Sequence, residues 1–308
     1  MGLAQEASLK QLLQEPRQWP WLLLCACLFV LAQAPLAWLL RFGRMLAPVT
    51  RLLARKRYRV IKINIAIAFP ELDQATQQEL SRAAFRNSVL GLLETAAATW
   101  RRRDLGMHRI QVEGLSLLDN ELAQGHGVLL LAAHFTPMML CARALSEALG
   151  QPVPMLSRKH NQRTLSALSR NAYQRWCRKV IDKRDLIGLI RTLRAGDAVY
   201  YAPDQHLSEN VTIVPFFSRP VATLAITPRI VRSAKVPVLL ISIWRDADLY
   251  HLKLETCPAV ISHGTPEASA AAYMHWLETV IRRYPAQYLW AHRRFKPNAE
   301  ARPDPYAA

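Results

Sequence analysis

The chain has few acidic residues, and this shortage sets its electrostatic character. Of its 308 residues, 23 are Asp or Glu and 40 are Lys or Arg, which gives a formal net charge of +17. An excess of this size indicates an acidic partner, which is nucleic acid, an anionic membrane surface, or an acidic or phosphorylated protein or substrate. Charge alone does not choose among these partners.

Cysteine is also scarce, and its spacing excludes two common roles. The five cysteines are odd in number and lack the paired spacing of a zinc site. We therefore expect a reducing compartment, with small buried thiols and no structural metal.

Several enzyme motifs are missing. The sequence has no glycine-rich phosphate loop, no dinucleotide fingerprint, no nucleophile elbow and no metal-binding histidine spacing. Their absence argues against hydride transfer, kinase chemistry and metallohydrolysis, and we expect no cofactor. No recognised nucleic-acid-binding module is present either, so we expect no nucleic-acid partner.

A segment without charge lies near the N terminus. Residues 19–40 read "WPWLLLCACLFVLAQAPLAWLL", close to the roughly 20 residues that a membrane-spanning helix needs. Eight basic residues follow between positions 41 and 62, which favours a cytoplasmic location for the rest of the chain. We predict one N-terminal membrane-anchor helix within residues 1–45, and one domain over residues 46–308.

The remainder alternates β-rich and helical patterns, which predicts an α/β fold. A helix is predicted over 76–103, with Thr76 and Glu79 as its capping box, while the alternating segment 57–72 fits either a strand or a helix. Thr227 is the expected N-cap of another helix, with Pro228 at its first position. The other predicted strands are 127–133, 198–202 and 236–244, and the other predicted helices are 138–149, 164–178, 185–194 and 228–235.

Polar residues follow two of the predicted strands. His134 ends the first strand, and Asp204 and Gln205 follow "YYAP" at the end of another. Because ligands gather at the carboxyl ends of strands in open α/β sheets, these residues predict one shared cleft. Taken singly, such a histidine is more often a packing residue and such an aspartate more often a turn residue.

The motifs, taken in order, resemble those of the late lipid A acyltransferases, the lauroyl and myristoyl transferases of the bacterial inner membrane. The similar stretches are "NIAIAFPEL", "RNSVLGLLETAAATW", "VLLLAAHF", "YYAPDQH", "VPFFSRPVATLAITPRIVRSAKVPVLLI" and "YPAQYLWAHRRFK". The resemblance implies a glycerolphosphate-acyltransferase-type mixed sheet with helices on both faces. It also implies transfer of a fatty acyl group from acyl carrier protein to a hydroxyl of a lipid A precursor, at the inner-membrane surface.

The catalytic signature of that superfamily is a histidine followed, after four residues, by Asp or Glu. His134 matches the histidine, which acts as the general base, but the position of the orienting acid holds Met139. Three explanations remain open: Asp204 replaces the acid in space, a backbone carbonyl orients the imidazole, or the chain is a non-catalytic relative.

Substrate-binding candidates flank these positions. Arg158, Lys159 and Arg163 lie in the basic stretch "SRKHNQR", where they would bind phosphate or the acidic surface of the carrier protein, and Gln205 lies beside Asp204. A solvated basic face near anionic lipid explains the same arginines and lysine equally well. Two other functions stay open: the same chemistry on a lysophospholipid, aminolipid or polyene lipid, and a non-catalytic protein that binds lipid or carrier protein.

Overall fold

A seven-stranded sheet forms the centre of the protein. The computed structural model describes residues 8–103, 105–157, 162–205, 209–247, 249–297 and 303–307. In the described residues the strands are β1 Ile110–Glu113, β2 Val128–Leu131, β3 Met155–Ser157, β4 Val180–Asp182, β5 Ala198–Tyr201, β6 Val211–Phe216, β7 Arg219–Leu224, β8 Val238–Asp246 and β9 Leu249–Thr256. The helices are α1 Leu9–Leu13, α2 Trp19–Ala32, α3 Leu36–Leu53, α4 Arg55–Ala68, α5 Gln74–Trp100, α6 Leu115–Ala123, α7 Met138–Ala148, α8 Arg163–Tyr173, α9 Leu186–Arg194, α10 Thr227–Ala234, α11 Ala259–His263 and α12 Pro266–Arg283.

The sheet is mostly parallel, with the order β1-β9-β8-β2-β5-β3-β4. Strands β8 and β9 pair antiparallel, the other described pairs within this sheet are parallel, and β6 and β7 form a separate antiparallel hairpin. All four positions of both β2 and β5 are buried, which explains their uninterrupted apolar sequences. The predicted mixed α/β fold, a sheet flanked by helices, is confirmed.

Most predicted elements are found with small shifts of their ends. The three predicted strands correspond to β2, β5 and β8, and the four shorter predicted helices to α7, α8, α9 and α10. The ambiguous segment 57–72 is largely helical, in α4. Its buried residues lie at the spacing of a helix face: Val60, Ile61, Asn64, Ile65 and Ala68.

The two predicted helix caps need correction. Helix α5 starts earlier than expected because Asp73 caps it, its side chain accepting a hydrogen bond from the backbone N–H of Thr76 at 2.7 Å. Helix α10 already includes Thr227, and the residue before it, Ile226, makes no capping bond through its side chain. In both cases the helix gains residues at its start, where sequence signals locate boundaries least well.

The N-terminal segment forms two helices where one was predicted. Helix α2 ends at Ala32 and α3 begins at Leu36, because Pro35 lacks the N–H needed to continue the first helix and its ring would clash with the preceding turn. The 14 residues of α2 extend over about 21 Å, against the roughly 30 Å of a bilayer's hydrocarbon core. Across the described ranges no helix has both the length and the apolar character to cross a membrane. This finding corrects the prediction of a membrane-anchor helix in 1–45.

Helices α2 and α3 pack against α5. A Cβ at Gly43 of α3 would lie 2.6 Å from a Leu90 methyl carbon, so the glycine allows the two helices to approach closely. The side-chain amide of Gln33, in the turn between α2 and α3, donates to the carbonyl oxygens of Phe29 and Trp100 at 2.8 and 3.1 Å. The predicted boundary between residues 45 and 46 falls inside α3.

Candidate active site

The register of the central strands brings His134 and Asp204 together. In the parallel pair β2–β5, Leu131 lies opposite Tyr201, and the backbone N–H of Ala132 donates to the Tyr201 carbonyl at 2.8 Å. The chain runs three residues beyond the end of each strand, to His134 after β2 and to Asp204 after β5. Because parallel neighbours end at the same edge of the sheet, the two side chains meet there.

The carboxylate of Asp204 is fully buried and fully engaged. Its Oδ1 lies 2.6 Å from His134 Nδ1, and its Oδ2 accepts from the backbone N–H of His134 at 3.1 Å. The Tyr288 hydroxyl also donates to Oδ2, at 3.0 Å. Since an ionised carboxylate only accepts hydrogen bonds, Nδ1 carries the imidazole proton and Nε2 keeps its lone pair. The His134 side chain is 19% exposed, against 0% for Asp204, so the imidazole is the accessible member of the pair.

The surroundings keep Asp204 ionised. Burial raises the pKa of its carboxyl, but the attraction to the positive charge of His134 in its protonated form, the hydrogen bonds from His134 and the bond from Tyr288 outweigh burial and lower the pKa overall. Burial and the nearby Asp204 charge raise the pKa of Tyr288 well above its ordinary value. Tyr288 therefore remains a neutral hydrogen-bond donor.

A segment from the C-terminal part of the chain holds the histidine in place. The backbone N–H of Leu289 donates to the His134 carbonyl at 2.9 Å, and that of Thr136 donates to the Gln287 carbonyl at 2.8 Å. Helix α5 also contacts this turn, since a Cβ at Gly91 would lie 2.8 Å from the Thr136 carbonyl oxygen. Helix α5 continues through Gly91 without a break. The absence of a side chain at Gly91 allows the helix to contact this turn.

A buried ion pair supports the same segment. The guanidinium of Arg245 binds the carboxylate of Glu94 and the side-chain oxygen of Asn87, and Tyr250 donates to Glu94 at 2.7 Å. Arg245 also exchanges two hydrogen bonds with Gln287: its N–H donates to Gln287 Oε1 at 2.8 Å, and its carbonyl accepts from Gln287 Nε2 at 2.7 Å. The network therefore fixes Gln287, which contacts the turn after His134.

Met139 lies in an apolar environment. It is the second residue of α7, after Pro137 at the helix N-cap, and it packs against the two apolar clusters that include Leu140 and Trp176. The Nδ1 atom of His134, which an orienting acid would contact, already binds Asp204.

Of the other predicted site residues in the described part of the chain, Gln205 adjoins the pair in sequence and Arg163 lies on α8. Gln205 is half-buried and directly follows Asp204 in the chain. Arg163 begins α8 and is exposed, and its guanidinium donates to Glu15 Oε1 at 2.8 Å, so it contacts the N-terminal region. Arg158 and Lys159 lie outside the described residues.

Sequence reasoning assigned no role to Tyr288, Glu94 or Arg245. Glu94 lies in "RNSVLGLLETAAATW" and Tyr288 in "YPAQYLWAHRRFK". The signal that could have indicated a role is a polar residue within an apolar stretch. Arg294, in the motif "YPAQYLWAHRRFK", is buried and donates to the Ala222 carbonyl at 2.7 Å, so its role is structural. In the part of the chain that the structure describes, no cluster of three or more His, Cys, Asp or Glu side chains is arranged to bind a metal ion.

A histidine oriented by a buried, ionised aspartate at the edge of a parallel sheet can accept a proton from a substrate hydroxyl. The site thus defines an α/β protein equipped for general-base chemistry. The family model for the bacterial lipid A biosynthesis acyltransferase matches residues 6–297. The chain therefore belongs to the bacterial lipid A biosynthesis acyltransferase family, and the resemblance drawn from its motifs is confirmed.

Individual relatives cover nearly the whole chain. A lipid A biosynthesis palmitoleoyltransferase of Escherichia coli (strain K12) is 30% identical over 285 residues, which are 91% of this chain and 92% of the relative. A lipid A biosynthesis lauroyltransferase of the same strain is 28% identical over 299 residues, 96% of this chain and 97% of the relative. A myristoyltransferase of that strain is 21% identical over 248 residues, 79% of this chain and 76% of the relative. The relatives transfer different acyl chains, so similarity does not select one for this chain.

Proposed function

We propose that this protein transfers a fatty acyl group from acyl carrier protein to a hydroxyl of a lipid A precursor or a related glycolipid. The observation that carries the proposal is the 2.6 Å contact between His134 and the buried Asp204, in a chain that belongs to an acyltransferase family. We assign the catalytic machinery to residues 46–308, which contain both members of the pair.

In the proposed reaction His134 is the general base. Asp204 holds the imidazole with its proton on Nδ1, and Nε2 removes the proton of the acceptor hydroxyl. The hydroxyl oxygen attacks the thioester carbonyl carbon, the carbon–sulfur bond breaks, and the carrier thiolate takes the proton from the imidazolium. The negative charge of Asp204 stabilises the imidazolium formed between these steps.

Asp204 is proposed to replace the acid that is missing at Met139. Its contact with Nδ1 supports this explanation over a backbone carbonyl, and the ionised state of Asp204 supports an active site over a non-catalytic relative. Tyr288 is proposed as a positioning residue, because it binds the second carboxylate oxygen.

Substrate binding is proposed for four residues. Gln205 adjoins Asp204 in the chain, and Arg163 is an exposed cation on α8. Arg158 and Lys159 complete the set, and the net charge of +17 suits both the acidic carrier protein and a phosphorylated acceptor.

We further propose that the protein works at the cytoplasmic surface of the bacterial inner membrane. Helices α2 and α3 expose large apolar side chains, including Leu23 (67%), Val30 (69%) and Trp38 (66%). Basic residues from Arg41 onward follow this surface, as expected for contact with anionic lipid head groups.

The transferase is tested with membranes that contain wild-type protein or the His134→Ala variant. They are incubated with labelled acyl carrier protein thioester and a tetra-acylated lipid A precursor, and the products are identified by mass spectrometry. We expect acyl gain with wild type, and loss of that gain by about 10³-fold or more in His134→Ala. His275→Ala, which changes an exposed histidine of α12, is the matched control and retains activity. If wild type adds no acyl group while a control enzyme is active, the proposal is contradicted. Acyl transfer to a lysophospholipid would instead identify another acceptor.

A further inference from the structure

A cavity separate from the histidine site lies between the N-terminal helices and α8. Its volume is about 510 Å³, within the range of small-ligand sites, and its described lining is apolar apart from Asn171 and Arg175. Phe29 of α2, Trp100 of α5 and Leu168 of α8 contribute large surfaces. This lining offers water few polar partners, so the open cavity is suited to an apolar ligand.

Helix α5 contributes to both the cavity and the candidate active site, at different positions along its length. Gly91 of α5 adjoins Thr136, close to His134, whereas Trp100 lines the cavity nine residues further along the same helix. At the helical rise of 1.5 Å per residue, these positions are about 13 Å apart along the axis. A reacting hydroxyl must lie within hydrogen-bonding reach of its general base, so a ligand confined to this cavity is not the one being acylated.

The mouth of the cavity is positively charged. Arg175 is an exposed lining residue, and the guanidinium of Arg102 lies 5.3 Å from the ring centroid of Phe29, another lining residue. Burial and the positive charges of Arg102 and Arg143 lower the pKa of Arg175. An anion placed at the mouth would relieve their mutual repulsion.

The cavity also opens onto the exposed apolar surface of α2. Val30 lines the cavity and is 69% exposed, and Leu9, another lining residue, is 53% exposed. A lipid chain entering from a bilayer would therefore pass along apolar side chains. One acyl chain extends over about half of the roughly 30 Å hydrocarbon core, a length that a groove between helices can accommodate.

We infer that this cavity binds one acyl chain of an anionic bilayer phospholipid, with the lipid phosphate against Arg175 and Arg102. The inference goes beyond the proposed transfer reaction, because this lipid is bound and not consumed. It would join α2 to α8 by apolar contact and stabilise the packing of the N-terminal helices on the rest of the chain.

The test counts phospholipid bound to the detergent-purified full chain by native mass spectrometry. The protein is first equilibrated with vesicles of phosphatidylcholine alone, or of phosphatidylcholine mixed with phosphatidylglycerol. Wild type is expected to retain one phosphatidylglycerol and little phosphatidylcholine. Ala26→Trp, which fills the cavity from α2, is expected to lose this lipid, whereas Cys27→Trp, at an exposed neighbouring position outside the lining, is expected to keep it.

Arg175→Gln tests the head-group contact without filling the cavity, and it remains informative if Ala26→Trp fails to fold. It is expected to weaken phosphatidylglycerol retention about twofold to fivefold, as for a partly exposed charge pair, and to leave phosphatidylcholine unchanged. Equal retention of both lipids by wild type, or unchanged retention in Ala26→Trp, overturns the inference. Displacement of the lipid by the tetra-acylated precursor also overturns it, since the cavity then belongs to the acceptor. His134→Ala must retain lipid as wild type does, so failure of the transferase proposal leaves this test intact.

Discussion

Residues 128–135 and 22–30 have similarly apolar sequences, "VLLLAAHF" and "LLLCACLFV", yet they differ in how much of their surface the fold buries. Strand β2 lies between β5 and β8, and its four side chains have no exposed surface. Helix α2 packs on α5 and α8, and leaves Leu23 and Val30 more than half exposed. Apolar composition therefore indicates burial only when the neighbouring elements are known.

The two regions also differ in how they treat polar groups. At the sheet edge a fully buried Asp204 has hydrogen-bond partners on both oxygens, whereas the cavity near α2 is almost wholly apolar with cations at its mouth. A buried polar group needs its partners at set positions, while an apolar surface tolerates many arrangements. Substitutions at the first region should consequently have large effects, and those at the second small ones.

The largest expected effect is on catalysis by Asp204→Asn. An amide can donate to Nδ1 and so favours the wrong imidazole tautomer, and we expect acyl transfer to fall by about 10⁴-fold. The measurement is the initial rate of acyl gain by mass spectrometry. Asp182→Asn is the matched control, because Asp182 is an exposed aspartate at the end of β4 on the same sheet. Unchanged transfer in Asp204→Asn, beside an inactive His134→Ala, would remove Asp204 from the mechanism.

The next largest effect is on stability, at the ion pair that holds Gln287. Glu94→Leu leaves the guanidinium of Arg245 buried without its carboxylate partner, and we expect the free energy of unfolding to fall by about 3–5 kcal/mol. The double variant Glu94→Leu, Arg245→Met removes both charges and should recover most of that loss. Chemical denaturation of the three proteins measures both values. Equal stability of the single and double variants would show that the pair does not act as a unit.

A smaller effect is expected on the pH dependence of stability. The pKa of Asp204 is lowered in the folded protein, so its contribution is present above the ordinary value of 3.8 and is lost as the pH falls through the folded-state pKa. The difference in free energy of unfolding between wild type and Asp204→Asn should therefore shrink on acidification from about pH 6 to about pH 3. Exposed carboxylates with lowered pKa, Glu71 and Asp73, are common to both proteins and cancel in this difference. A difference that stays constant with pH would contradict the assignment.

Features that depend on local sequence patterns could be predicted, whereas those that depend on contacts between distant residues could not. The contact between His134 and Asp204 could be predicted because both residues follow apolar strands, and neighbouring parallel strands end at one edge of the sheet. Strand β9 was missed although Tyr250, Leu252 and Leu254 alternate with more exposed residues, a period-two pattern that is readable from sequence.

Other features depend on contacts that a single sequence does not show. Tyr288 reaches Asp204 across 84 residues of chain, and Arg245 reaches Glu94 across 151. The predicted single anchor helix is not found because Pro35 divides the apolar segment between α2 and α3. Long-range polar contacts thus limited the prediction of the site, and one proline limited that of the N-terminal region.

The smallest expected effect on folding is at the exposed surface of α2. Leu23 is 67% exposed, so Leu23→Ser should change the free energy of unfolding by less than about 0.5 kcal/mol. If α2 contacts the bilayer, the same change should weaken binding to anionic vesicles about fivefold, because part of the gain from burying a leucine is lost. Ile187→Ser is the matched control, since Ile187 is 71% exposed on α9 and is expected to leave vesicle binding unchanged. Vesicle sedimentation measures both variants. Equal vesicle binding by Leu23→Ser and Ile187→Ser would place the membrane contact elsewhere. Removal of an exposed apolar side chain weakens vesicle binding only where lipid covers that side chain.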